Sequence, residues 1–316
     1  MFLKGRTGSL VVLAALLVLA LVSPAAAAAE KKSKKKKALP QGTPVLWRAR
    51  DVGRLDLAAG PGGAGMRPVT RGLRFLKEEK GGWSKKFRVR DARGREWVAK
   101  IGREAQSETA ATRLVWAAGY ETEITYLVPR VTIPGKGTFE NVRFEARPKN
   151  VKRLDEWTWK ENPFVGTREL EGLKVLMVLL NNWDLKDENN VVIHAPAEGE
   201  LRYTISDLGA TFGKTGGGGP LWRLTRSRNE PEDYADSKFI DKVEDGYVDF
   251  HFTGVNKGVV EKVRVEHARW IGEHLSRLTD GQLAAVFHAA NYTPAQARLL
   301  TRVVRARIGE LASLPR

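Results

Sequence analysis

The sequence predicts an α+β protein of two unlike lobes, the first rich in strands and the second rich in helices. Three observations carry that expectation. Between about residues 87 and 146, apolar and polar residues alternate in short runs broken by Gly- and Pro-containing turns. From Glu169 to Leu180 the chain is too apolar for a surface helix, and beyond Val259 its apolar positions recur at helical spacing to the end. A chain of 316 residues with 42% hydrophobic residues has enough apolar material for one large domain or two lobes.

The elements follow in order. Gly60 to Gly65 reads as a flexible turn, and Asp91-Ala-Arg-Gly94 as a hairpin connection between strands around Phe87 to Val89 and Glu96 to Ile101. Ser107 is placed to cap a helix whose inward positions are Ala110, Ala111, Leu114, Val115 and Ala118, with Gly119 as its stop. A second strand pair, Thr122 to Ile133 and Thr138 to Ala146, surrounds Pro134-Gly-Lys-Gly137. After a polar, Trp-containing connection comes the buried helix Glu169 to Leu180, ended by Asn181-Asn182. Two short strands follow, Val191 to His194 and Leu201 to Ile205, and the glycine run from Gly216 interrupts regular structure. Tyr247 to Phe252 reads as extended. The tail reads as helices over Val259 to Leu278, Asp280 to Ala290 and Pro294 to Leu314, the last with Thr293 as cap and Pro294 at its first position. No internal repeat is visible.

The charge is unevenly placed. Of 53 Lys+Arg and 37 Asp+Glu, eight basic residues and one acidic residue fall in positions 1 to 37, leaving +9 of the total +16 for the rest. A nucleic-acid partner is therefore not expected from charge alone. Lys4 and Arg6, the apolar run Leu10 to Val22 and the alanines through Ala29 form the pattern of a signal peptide, with cleavage expected near Ala28 or Ala29. The cluster Lys31 to Lys37 reads as a solvated linker, with attraction to an anionic membrane surface as a sharper role. Because basic residues are normally retained on the cytoplasmic side, the same cluster supports an alternative, an inverted N-terminal anchor. The chain has no Cys, which excludes disulfides, thiolate zinc sites, thiol catalysis and a lipoprotein anchor.

The strongest chemical signal is Asp184-Leu-Lys186-Asp-Glu-Asn189, directly after the buried helix. It resembles the catalytic loop of protein kinases. Ser206-Asp207-Leu-Gly209, at the end of the second strand that follows, resembles the metal-binding Asp-Phe-Gly element, and Trp97-Val-Ala-Lys100 resembles the strand carrying the phosphate-binding lysine. Three matches in this order imply a two-lobed protein-kinase-like fold. The resemblance implies that Lys100 contacts the α- and β-phosphates of ATP and that Asp184 accepts or orients the acceptor's hydroxyl proton. It further implies that Lys186 steadies the transferring group and that Asn189 and Asp207 hold Mg²⁺ through oxygen, the ligand type this hard ion prefers. Glu108 is the candidate partner of Lys100, with Glu104 in reserve.

There are departures. Asn182 replaces the usual His, no G-x-G-x-x-G precedes Lys100, and no A-P-E element is seen. The stretch Gly81 to Phe87 takes the glycine loop's place, offering backbone N–H groups, Ser84 and two lysines to phosphates. These features are similar to atypical kinases of the bacterial persistence-toxin, lipid-kinase-like and secretory-pathway types. The match spans roughly residues 70 to 215.

Other constellations carry less. His267 and His274 read as a solvated helical face, and Trp157 and Trp159 as packing residues with base stacking as the sharper alternative. No G-x-S-x-G or Walker A sequence is present.

The expected organisation is a signal peptide over 1–29, a basic linker over 30–45, an N-lobe over 46–150 and a C-lobe over 151–316. The expected activity is ATP- and Mg²⁺-dependent phosphoryl transfer to a hydroxyl of a protein, lipid or small molecule. The alternatives are a nucleotide-binding pseudokinase module and an envelope-associated structural protein. Export to the periplasm or outside is expected; the anchored alternative leaves the kinase-like domain in the cytoplasm.

Overall fold

A computed structural model describes residues 38–81, 84–217 and 224–316. The expected signal peptide and Lys31 to Lys37 lie outside the described residues. No helix among the described residues is long and apolar enough to cross a membrane.

The chain enters through a short strand, β1 (Thr43–Val45), within the segment expected to be linker. The first lobe is a five-stranded antiparallel sheet built from β2 (Arg74–Glu79), β3 (Lys85–Arg90), β4 (Glu96–Ile101), β5 (Thr125–Ile133) and β6 (Gly137–Ala146), in the order β2-β3-β4-β6-β5. Helix α1 (Ala105–Ala117) lies between β4 and β5 in sequence. Period-2 alternation divides the sheet into two faces. Phe87, Val89, Trp97, Ala99, Val142 and Phe144 are buried on one, in a core that also takes in Tyr126, Val131 and Ile133. Lys86, Val98, Lys100, Arg143 and Glu145 occupy alternate positions and so face the other way, toward α1.

The β3–β4 hairpin forms where the sequence places it. Asp91 accepts backbone N–H groups from Arg93 and Arg95 at 2.9 and 3.0 Å, while Gly94 takes a φ of 76° that a β-carbon would strain.

The second lobe begins with β7 (Lys152–Arg153) and α2 (Arg168–Leu179). Thr167 caps α2 by accepting the Leu170 N–H, and two acidic residues in the first turn suit the helix dipole. Its far end is held by Arg307, which donates to the Leu179 carbonyl at 2.8 Å and to Asn181 Oδ1 at 2.9 Å. Strands β8 (Asn190–Ala195) and β9 (Glu200–Ile205) pair antiparallel, and β1 joins β9 in parallel to give the order β1-β9-β8-β7. Then come α3 (Pro231–Ala235), β10 (Ile240–Glu244), β11 (Tyr247–Phe250), β12 (Val263–Arg264), α4 (Val265–Ser276), α5 (Asp280–Ala289) and α6 (Pro294–Ala312). Thr279 and Thr293 form capping boxes with Gln282 and Gln296.

A larger core joins α2 and α4–α6 with Leu46, Val52 and Leu57 from the entering segment and with Ala110, Ala111, Leu114 and Val115 of α1. Helix α1 is thus sheet-lobe in sequence but packed into the helical lobe's core. That packing fixes where its charged face points.

Three expectations are corrected. The helix expected from Val259 begins at Val265, because Lys262 adopts a left-handed φ of 57° and Val263 pairs with Val248 instead. Helix α1 begins at Ala105, so Ser107 is not its cap; the buried Ser107 hydroxyl donates to the Glu104 and Gly209 carbonyls, both at 3.1 Å. His274 is not on a solvated face. It is 4% exposed, packed against Trp47 and Trp270, and burial followed by the charge of Arg277 lowers its pKa to about 4. Trp157 and Trp159 are buried against each other at 5.2 Å, as packing residues are.

Candidate active site

Lys100 ends β4 with its side chain 4% exposed, a position that an ammonium tolerates only with close partners. It has three. Glu104 lies 2.8 Å away, Glu108 3.0 Å and Asp207 3.8 Å. Glu104 and Glu108 are one helical turn apart at the start of α1 and so share a face. Burial opposes the charge on Lys100, but the carboxylates, led by Glu108 and Asp207, outweigh it and set its pKa above the ordinary lysine value. Glu108 is buried, and burial pushes its carboxyl up against the pull of Arg143, whose Nε is 3.1 Å away, and of Lys100.

Glu104 ties together several parts of the chain. Burial raises its pKa, but Lys100 and hydrogen bonds from Ser84 and Arg228 reverse the effect and hold it at about 2. Ser84 donates to Oε1, and Arg228 donates to Oε2 at 2.6 Å. Gly209 packs so close that an added β-carbon would stand 2.9 Å from the Glu104 β-carbon.

The loop after α2 is braced from several directions. Asn182, in the place of the usual His, is buried and accepts the Asp184 N–H at 3.3 Å. The Trp183 indole donates to the Ser227 carbonyl at 2.7 Å, with the Arg226 and Arg228 guanidinium groups over its ring at 4.0 and 4.7 Å. Asn256 donates to the Leu185 carbonyl at 3.2 Å. Within the loop, Lys186 Nζ lies 2.8 and 3.0 Å from the two Asp184 carboxylate oxygens. Asn189 Nδ2 donates to the Asp184 carbonyl at 2.6 Å. The Asn189 carbonyl in turn accepts the N–H groups of Ser206 at 2.8 Å and Asp207 at 3.4 Å.

One connected path therefore runs Lys100, Asp207, Asn189, Asp184, Lys186, from the sheet lobe through the Asp-Leu-Gly turn into the loop after α2. The Lys100–Glu108 pair joins the strand to the helix beside it. This arrangement of sheet lobe, helix and loop fits the kinase-like fold that the three motifs imply.

Among solved structures, the chain is similar to a Helicobacter pylori proinflammatory kinase, CtkA, at 11% identity and a TM-score of 0.46, over 78% of this chain and 94% of that one. It is also similar to the Rio2 kinase of Chaetomium thermophilum, solved as an ADP/Mg²⁺-phosphoaspartate complex, at 13% identity and a TM-score of 0.31, over 75% of this chain and 72% of that one. No protein-family model and no curated protein matches the chain.

The donor set suits Mg²⁺. Asn189 spends its Nδ2 on the Asp184 carbonyl, which leaves the side-chain oxygen for a cation. Asp207 takes the Gly209 N–H on Oδ1 at 3.1 Å and keeps a side chain 45% exposed. Among the described residues no three His, Asp or Glu side chains group to hold a metal by themselves. An ion here would complete its shell from phosphate and water, the way Mg²⁺ is usually held in phosphoryl-transfer sites.

The structure thus brings together Lys100, Glu108, Asp184, Lys186, Asn189 and Asp207. Ser84, expected at the phosphates, has its hydroxyl directed at Glu104. Two participants escaped sequence reasoning. Arg143 arrives through strand register, Lys100 pairing with Arg143 across β4 and β6; counting alternation outward from Lys100 would have found it. Arg228 follows the glycine-rich segment, where no periodic pattern points to it.

Proposed function

We propose that the chain is a phosphotransferase that moves the γ-phosphoryl group of ATP, with Mg²⁺, to a hydroxyl of a protein, lipid or small molecule. The observation that carries this reading is the connected path from Lys100 through Asp207 and Asn189 to Asp184. Lys100 meets the Asp207 carboxylate, and hydrogen bonds to backbone carbonyls tie Asp207 to Asn189 and Asn189 to Asp184, which supports a reading with a phosphate-side lysine, two oxygen donors for a divalent cation and a carboxylate base. Phosphoryl transfer requires that set, because its transition state asks for positioning and charge stabilisation more than covalent chemistry.

In this reading the acceptor oxygen attacks the γ-phosphorus, the bond to the β–γ bridging oxygen breaks, and ADP leaves. Asp184 orients the acceptor hydroxyl and takes its proton. Lys186, held at Asp184 and 49% exposed, faces the charge of the transferring group. Asn189 and Asp207 would hold Mg²⁺, which when bound would neutralise phosphate charge.

Incubation of the protein with γ-labelled ATP, Mg²⁺ and a mixture of proteins and lipids tests the proposal. Label should appear in a product or as inorganic phosphate, and Asp184→Asn should slow its appearance about 100-fold or more. Equal rates in the two proteins would contradict the reading. MgATP binding with no label moved would mark a nucleotide-binding module instead.

A further inference from the structure

Lys100 is closely surrounded by carboxylates. Its ammonium is 4% exposed and has carboxylates at 2.8, 3.0 and 3.8 Å. Arg143 is occupied by Glu108 at 3.1 Å and Glu145 at 2.8 Å, and Arg228 by Glu104 at 2.6 Å. Leaving Lys86 aside, the cluster balances Lys100, Arg143, Arg147, Arg153 and Arg228 against Glu104, Glu108, Glu123, Glu145 and Asp207. It has no positive charge to spare for an incoming polyanion.

Lys86 differs. It lies directly opposite Lys100 in the β3–β4 register, and facing residues of an antiparallel pair project from the same side of the sheet. Lys85, one residue earlier, projects from the other side and sits over the Phe87 and Phe139 rings at 5.1 and 5.7 Å. Among the described residues Lys86 has no carboxylate within ion-pair distance, although it is half-buried.

From this placement, and on the reading of the chain as an ATP-dependent phosphotransferase, we infer that Lys86 is a second cation, beside Lys100, that binds the nucleotide's phosphates. Burial, then the charge of Lys100, lowers the Lys86 pKa, and Asp207 and Glu108 only partly offset this. A phosphate oxygen at hydrogen-bond distance would supply the counter-charge that the protein does not.

Calorimetric titration of the full chain with ATP and with adenosine, both in Mg²⁺, tests the inference in wild type, Lys86→Gln and Lys86→Arg. Lys86→Gln should weaken ATP binding about tenfold or more, the size of a lost charge-assisted hydrogen bond, and leave adenosine binding unchanged. Lys86→Arg should restore most of the ATP affinity. Equal ATP affinity in wild type and Lys86→Gln overturns the inference alone, as does an equal loss for ATP and adenosine. No nucleotide binding by wild type overturns the phosphotransferase reading and this inference with it.

Discussion

Lys100 Nζ lies 3.8 Å from Asp207 Oδ2, so the end of strand β4 and the Asp-Leu-Gly turn share one electrostatic unit. The unit is held from α1 by Glu104 and Glu108, and α1 is itself anchored in the core of the helical lobe through Ala110, Ala111 and Leu114. The sheet lobe and the helical lobe thus meet at one charged cluster.

Glu108 is the most buried member, 1% exposed, with Lys100 and Arg143 both against it. Replacing it with Gln removes the counter-charge of two buried cations. Glu108→Gln should destabilise the protein by about 3 kcal/mol, measured by urea denaturation, because breaking a buried ion pair leaves a charge uncompensated. A change within about 0.5 kcal/mol would show that the pair contributes nothing net.

Glu104 makes a pH prediction. Its folded pKa of about 2 lies below the ordinary value of 4.5, so the unfolded chain binds its proton first as pH falls. The stability it contributes is complete above about pH 4.5 and is lost as pH drops toward 2. Stability measured across that interval should fall less steeply in Glu104→Gln than in wild type; parallel curves would sink the assignment.

His274 acts in a higher window with the same sign. Its pKa of about 4 lies below the ordinary 6.5, so protonation favours the unfolded chain as pH falls from 6.5 to 4. Melting temperatures over that range should decline less in His274→Asn than in wild type, whatever the absolute stability of the variant.

Gly209 offers a test that removes no charge. A β-carbon there would stand 2.9 Å from the Glu104 β-carbon and 3.1 Å from its γ-carbon, closer than packed carbons approach. Gly209→Ala should displace Glu104 from Lys100 and slow phosphoryl transfer about tenfold or more, since small misplacements of a catalytic array are costly. A variant with the wild-type rate would show that the contact relaxes without moving the cluster.

Much of this site was legible because its residues lie in three ordered motifs. Asp184, Lys186 and Asn189 fall in one six-residue stretch whose local hydrogen bonds are short in sequence, and Lys100 lies near the end of β4 and Asp207 just after β9, strands that alternation identifies. Glu104 and Glu108 both reach Lys100 because a helix brings positions four apart to one face, which spacing alone allows but does not choose between. What local pattern cannot report is what packs on a residue from elsewhere in the chain. Arg228 reaches Glu104 from a segment without periodicity, and His274 is covered by Trp47 from far upstream. The start of α4 was misplaced for a related reason, since Val263 suits a helix as well as the strand that Val248 makes of it.

The measurement closest to the central claim is a titration of ATP into wild type and Asp207→Ala, with Mg²⁺ and with a chelator. Wild type should bind ATP more tightly with Mg²⁺, and Asp207→Ala should lose that Mg²⁺-dependent gain while keeping its fold by circular dichroism. Wild type that binds no ATP, or Asp207→Ala that keeps the full gain, would contradict the account.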